Sequence, residues 1–168
     1  EELEMVQQYL NLEKLRFDFN FQITTGEGID PHNTPVPPML LQPFAENAVI
    51  HGLQHKEGER MLKIEVKKES NQYSVNSEQF LVNDKQLPVN SEKREKEGIV
   101  ICIEDNGIGR AAAQNLGTNK NGKGSKLMQE RLKILQEKQG EKYRFQITDL
   151  TENGATGTRV EIWIPEEK

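Results

Sequence analysis

What this chain lacks narrows it first. It has one cysteine, Cys102, so no disulfide can close within it. The thiol lies inside an apolar run, where it reads as an inert core side chain of a reducing compartment. Basic residues are not in excess: 22 Lys and Arg stand against 27 Asp and Glu, a formal charge of -5. That balance argues against a grip on nucleic acid or anionic lipid as the main activity, so any phosphate ligand must be held locally. No apolar run approaches the length of a membrane span or a signal peptide. The histidines, His32, His51 and His55, are too scattered for a zinc site, and no serine sits on a strand-to-helix elbow. The 168 residues, 34% of them hydrophobic, suit one globular domain with a modest core. The chain opens at Glu1 within a helical pattern and without methionine. It is therefore expected to be a piece of a longer protein whose other parts include membrane segments.

What is present centres on one stretch. Ile99-Val100-Ile101-Cys102-Ile103 runs into Glu104-Asp105-Asn106-Gly107-Ile108-Gly109-Arg110. A β-branched run ended by turn residues predicts an interior strand entering a tight loop. Side chains two apart share a face, so Asp105 follows Ile99, Ile101 and Ile103 toward the core. A carboxylate there costs several kcal/mol unless donors satisfy it, and a ligand is one source of donors. Asn106, Gly107 and Gly109 are expected to supply left-handed backbone and close approach. A turn capped by an aspartate, with no ligand, would look the same in this string.

Around it the pattern predicts a helix over 1–17, with stripes Leu3, Val6, Leu10 and Met5, Tyr9, Leu12. A half-buried strand follows through Phe17, Phe19, Phe21 and Ile23, then a Pro-rich loop holding His32. A second helix is expected from Pro37 to about His51, stopped by Gly52, with Pro43 demanding a kink or a later start. Leu40, Phe44, Asn47 and His51 fall on one helical line, so two polar groups continue an apolar stripe, with Glu46 one step round. Polar groups so aimed need partners, which a metal, a phosphate or backbone groups could supply. Leu62, Ile64 and Val66 alternate as a strand, and residues 69–98 read as a polar insertion between two strands of one sheet. Gly122-Lys123-Gly124-Ser125 leads into a helix bearing Leu127, Met128, Leu132 and Leu135, whose free amides offer an anion site. Strands at Tyr143–Ile147 and Val160–Ile164 close the chain, with Trp163 on the face opposite Val160, Ile162 and Ile164. The order predicts an α+β two-layer sandwich, a mixed sheet with helices on one face.

The segment from Gly117 to Gly124 nearly spells a Walker A loop, but Gly124 stands where the magnesium-ligating hydroxyl must be, and no strand leads directly into it. A different set of motifs fits better. Glu46-Asn47-Ala48-Val49-Ile50-His51-Gly52 resembles the N box, Asp105-Asn106-Gly107-Ile108-Gly109 the first glycine box, Gly122-Lys123-Gly124 the second, and Gly157-Thr158 the last glycine box of the GHKL ATPases. More narrowly, residues 1–17, 37–51 and Gln129-Glu130-Arg131-Leu132 resemble the LytS-type sensor histidine kinases that pair with LytTR response regulators.

That resemblance implies the Bergerat ATP-binding fold over 18–168, with residues 1–17 as the end of a dimerisation or linker helix. It implies ATP and Mg²⁺ as ligands. Asp105 would accept the adenine amine, a contact that guanine would turn into two facing acceptors. Asn47 would ligate Mg²⁺, Glu46 would position or deprotonate the attacking group, and His51 would lie near the phosphates. Gly107, Gly109, Gly122 and Gly124 would frame a lid, with Lys123 within it, and Thr158 would lie near the base or a phosphate. The implied activity is transfer of the γ-phosphoryl group to a histidine on a helix upstream of Glu1, since His32, His51 and His55 are poorly placed to receive it. Implied partners are that helix, a LytTR-type response regulator and a second copy in the full-length protein, a cytoplasmic domain of an inner-membrane kinase. The short lid, Ser125-Lys126 after the second glycine box and the 69–98 insertion depart from the family pattern. A GHKL ATPase or serine kinase acting on a partner, or a nucleotide-dependent interaction module without chemistry, are the alternatives.

Overall fold

A computed structural model describes residues 1–30, 34, 36–71, 96–116, 130, 134, 144–151 and 155–165. Among these, the order is α1 (Glu2–Arg16), β1 (Asn20–Thr25), α2 (Gln42–Asn47) continuing as a π turn (Ala48–Leu53), β2 (Met61–Asn71), β3 (Lys96–Asp105), α3 (Arg110–Asn115), β4 (Arg144–Asp149) and β5 (Thr158–Pro165). The five strands form one sheet in the order β1-β2-β3-β5-β4. β1 and β2 are parallel and are joined through α2, as a parallel neighbour requires a crossover; the other neighbours are antiparallel.

One face of this mixed sheet carries the core. Leu62, Ile64 and Val66 of β2, Ile99, Ile101 and Ile103 of β3, and Val160, Ile162 and Ile164 of β5 are buried against Leu3, Val6 and Leu10 of α1 and Phe44, Ala45, Val49 and Leu53 of the α2 segment. On β2 the intervening Lys63, Glu65 and Lys67 are exposed, so the alternation marks a one-sided strand. The expected α+β sandwich is the observed one. The β2–β3 ladder runs on to Asn71 opposite Lys96, so the outer residues of the 69–98 segment pair as strand, and 72–95 lie outside the described residues.

Several boundaries differ from the pattern reading. α1 runs to Arg16 and Phe17 is its extended cap, so β1 begins only at Asn20. The stripe Met5, Tyr9, Leu12 does not pack as the first one does: Met5 is 46% and Leu12 64% exposed, while Tyr9 is half-buried. Trp163, on the outer face, is buried; a Cβ on Gly98 would lie 2.6 Å from its Cε2, so the ring crosses the strand where a glycine leaves room.

The segment holding the N box departs most. The helix starts at Gln42, with Pro43 in its first turn, the later start that Pro43 demanded. It does not stop at Gly52 but widens into a π turn reaching Leu53, with the Gln54 amide donating to the Val49 carbonyl at 2.9 Å. The buried residues come in pairs every four positions, Phe44-Ala45, Ala48-Val49, Gly52-Leu53. In a straight α-helix such pairs drift about 40° per step; a wider turn winds them back onto one face.

Candidate functional site

The turn after β3 is built around Asp105. Its side chain is 4% exposed and lies on the core face with Ile99, Ile101 and Ile103. The Gly107 amide donates to its Oδ1 at 2.8 Å, and a second backbone bond comes from Thr158, its register partner on β5. Burial nevertheless dominates and raises the carboxyl from 3.8 to about 6, against those two bonds and the attraction of Lys56, with Glu104 pushing the same way as burial. Two amides do not offset the lost water, so this carboxylate has capacity for a further donor.

Three glycines make the surroundings close. A Cβ on Gly52 would lie 2.8 Å from Asp105 Oδ1; one on Gly107 would lie 2.7 Å from the same oxygen and run into the backbone of Gly52; one on Gly157 would strike the Asp105 carbonyl oxygen. Gly52 is thus a point of contact with Asp105, not a helix stop, and its carbonyl accepts the Ile108 amide at 3.2 Å. Left-handed backbone belongs to Gly109, the N-cap of α3, at φ 80°, and to Gly157 at φ 140°. Asn106 does not adopt it. It instead clasps the loop to β2: its Oδ1 accepts the Met61 amide at 2.8 Å, its Nδ2 donates to the Glu59 carbonyl at 3.2 Å, and its own carbonyl accepts from Lys56 Nζ.

The remaining candidates sit on the α2 segment, on the same side of the sheet as Asp105. Glu46 is half-buried and its Oε1 accepts from Gln42 Nε2 at 2.9 Å. Asn47 is exposed and His51 half-buried, so they line the rim of the apolar stripe and do not continue it, because the buried pairs begin one residue later. The His51 Nδ1 atom is buried without a hydrogen-bond partner, and burial, then His55, lowers its pKa. Gly122, Lys123 and Gly124 lie outside the described residues, as does His32. Among the described residues no cluster of His, Cys, Asp or Glu could hold a metal on its own, and no helix is long and apolar enough to cross a membrane.

Two contributors escaped the sequence reading. Lys56 is one, buttressing the turn from outside any motif. The other is Glu2, 5% exposed, whose carboxylate accepts the amides of Met39 at 2.7 Å, Leu41 at 2.9 Å and Gln42 at 3.3 Å and so fixes the entry to α2. Its only signal was a carboxylate at the helix start, which solvent would satisfy equally well.

Comparison with known proteins adds a partial likeness. No protein-family model matches the chain. It is 38% identical over 80 residues to the uncharacterised protein YwpD of Bacillus subtilis, covering 46% of this chain and 28% of YwpD. It is 36% identical over 76 residues to the sensor protein LytS of Oceanobacillus iheyensis, covering 44% of this chain and 13% of LytS. The likeness thus spans less than a third of either relative. It supports a signal-transduction protein related in part to a sensor.

Proposed function

We propose that this chain is the ATP-binding catalytic part of a LytS-type sensor histidine kinase, with the Bergerat form of the α+β sandwich. The observation that carries the reading is Asp105: a buried carboxylate at the end of an inner strand, short of donors, ringed by Gly52, Gly107 and Gly157, and facing the segment with Glu46, Asn47 and His51. The partial likeness to LytS supports the same class.

The residues present fit Mg·ATP chemically. Asp105, held ionised by a donor, accepts the adenine amine and rejects guanine, whose carbonyl would face it as a second acceptor. Asn47 is exposed and offers an amide oxygen to Mg²⁺, whose preferred ligands are oxygens shared between protein and phosphates; a protein-only cluster is not needed. The half-buried His51 imidazole is the group near the phosphates, and Glu46, oriented by Gln42, is the group that takes up or orients the proton of the attacking nucleophile. Thr158 closes the base end and Gly109 belongs to the lid; Gly122, Lys123 and Gly124, which the motif resemblance assigns to the nucleotide, lie outside the described residues. ATP supplies the phosphoryl group, and the protein contributes positioning and charge compensation, as this reaction class requires. The acceptor is a histidine on a helix of the longer protein, with a LytTR-type response regulator and a second copy as partners and the inner membrane as the site of the whole kinase.

The test is nucleotide binding followed by transfer in trans. The wild-type chain binds ATP in preference to GTP and, with Mg²⁺, labels a supplied dimerisation helix carrying the acceptor histidine. Asp105→Asn loses ATP binding. Equal binding of ATP and GTP, or an unaltered Asp105→Asn variant, overturns the adenine assignment; binding without transfer leaves the interaction-module alternative standing.

A further inference from the structure

The sequence places the start of α1 and the entry to α2 far apart, yet one carboxylate joins them. Glu2 Oε2 accepts the Met39 amide and Oε1 accepts those of Leu41 and Gln42, contacts that bridge 37 to 40 residues of chain. The site is built for a charge: three backbone donors converge on one buried anion, an arrangement worth more than neutral hydrogen bonds of the same length. A second observation marks the same spot. Met39 has φ 60°, and it is the only non-glycine residue with positive φ among those described. A side-chain-bearing residue adopts that backbone at a cost, so something must hold it there, and the amide that Glu2 binds is Met39's own. Further along, α1 meets α2 again at Tyr9. Its hydroxyl is buried without a hydrogen-bond partner, and burial, then Glu13 and Glu46, raises its pKa to about 12.

We infer that Glu2 is a positioning residue for the Mg·ATP site: its carboxylate pins the strained entry to α2, and through it α1 sets the placement of Glu46, Asn47 and His51. The inference rests on the reading of those residues given above. α1 is therefore a lever. A displacement of that helix withdraws the carboxylate, lets Met39 leave the left-handed region and frees the first turn of α2, whereas the Asp105 side of the site, braced by Asn106 and Lys56, stays in place. The affected ligand contacts are those to metal and phosphate, not those to the base.

The experiment compares wild type, Glu2→Gln and Glu2→Ala in binding of adenosine and of Mg·ATP, together with amide hydrogen exchange. The expected result for Glu2→Ala is an affinity for Mg·ATP about tenfold lower, the loss of charge-assisted bonds, with adenosine binding changed by less than about twofold. Glu2→Gln, which keeps one acceptor, falls between. Exchange quickens at Met39, Leu41 and Gln42 and onward through His51, but not at Asn106. If Glu2→Ala does not fold, the double variant with Met39→Gly removes the backbone strain without restoring the clamp and is read in the same way. Equal losses for adenosine and Mg·ATP, or unchanged exchange at the three amides, overturn the inference. If wild type binds neither ligand, the proposed function fails on its own, and exchange through 46–51 still decides whether α1 controls that segment.

Discussion

The deepest consequence of the structure concerns acid. Asp105 is held at about 6 where an unburied aspartate stands at 3.8. Over the interval between those values the folded protein binds a proton that the unfolded chain does not, so acidification stabilises the fold through this group. The contribution is fully present below about pH 4 and is lost as pH rises through about 6; its size is about 3 kcal/mol, from the linkage between pKa and stability. Asp105→Asn removes the charge while keeping an oxygen for the Gly107 amide. The variant is therefore expected to be more stable than wild type by up to about 3 kcal/mol near pH 8, the two converging toward pH 4. Urea unfolding of both proteins across that range measures the difference, with midpoints separated by about 1–2 M at the alkaline end for a domain of this size. The comparison isolates Asp105 and its electrostatic neighbours Glu104 and Lys56, because the two proteins are otherwise the same. A separation that does not change with pH, or a variant less stable throughout, refutes the picture of a carboxylate buried short of donors. In the proposed function, affinity for ATP moves the opposite way, weakening as pH falls below about 6, since a proton on Asp105 would compete with the adenine amine for the same oxygen.

Other expectations follow from packing. Gly52→Ala forces a methyl to within 2.8 Å of Asp105 Oδ1 and costs about 1–3 kcal/mol by overpacking, read as a lower urea midpoint and, in the proposed function, lost ATP binding. Gly98→Ala drives a methyl into the Trp163 ring, 2.6 Å from Cε2; it lowers stability by a similar ~1–3 kcal/mol and shifts Trp163 fluorescence, the chain's single tryptophan. Met39→Gly relieves left-handed backbone at φ 60° and raises thermal stability by up to about 1 kcal/mol, provided the Glu2 clamp is intact. Arg110 meets Asp149 with bonds of 2.8 and 2.9 Å and holds its carboxyl below the usual range. Since both side chains are well exposed, Arg110→Ala costs no more than about 1 kcal/mol; the wild-type advantage is lost as pH falls through the depressed Asp149 value and shrinks in salt.

The sheet and its core were legible because period-two patterning is a local property. Leu62, Ile64 and Val66, Ile99, Ile101 and Ile103, and Val160, Ile162 and Ile164 each announce one buried face, and the observed core uses all of them. Asp105 was legible for the same reason, as the residue that continues such a face with a charge. Asn47 and His51 were assigned a phase that assumed a regular α-helix. Asn47 ends the α-helical part and is already exposed where Phe44 is buried, and only His51 lies in the π turn; Gly52, next to it, is close to Asp105 and Gly107, a meeting that no helical period contains.

By itself, then, the sequence determined the class of fold and the place of the buried carboxylate, since burial of alternating side chains follows from composition along a strand. The tertiary structure alone decided why Gly52, Gly107 and Gly157 must lack side chains, how Lys56 and Asn106 brace the turn, and that Glu2 reaches the amides of Met39, Leu41 and Gln42. Each of these is a meeting of residues distant along the chain, and the free energy of such a meeting depends on where the whole sheet puts its elements, not on any residue's neighbours in sequence.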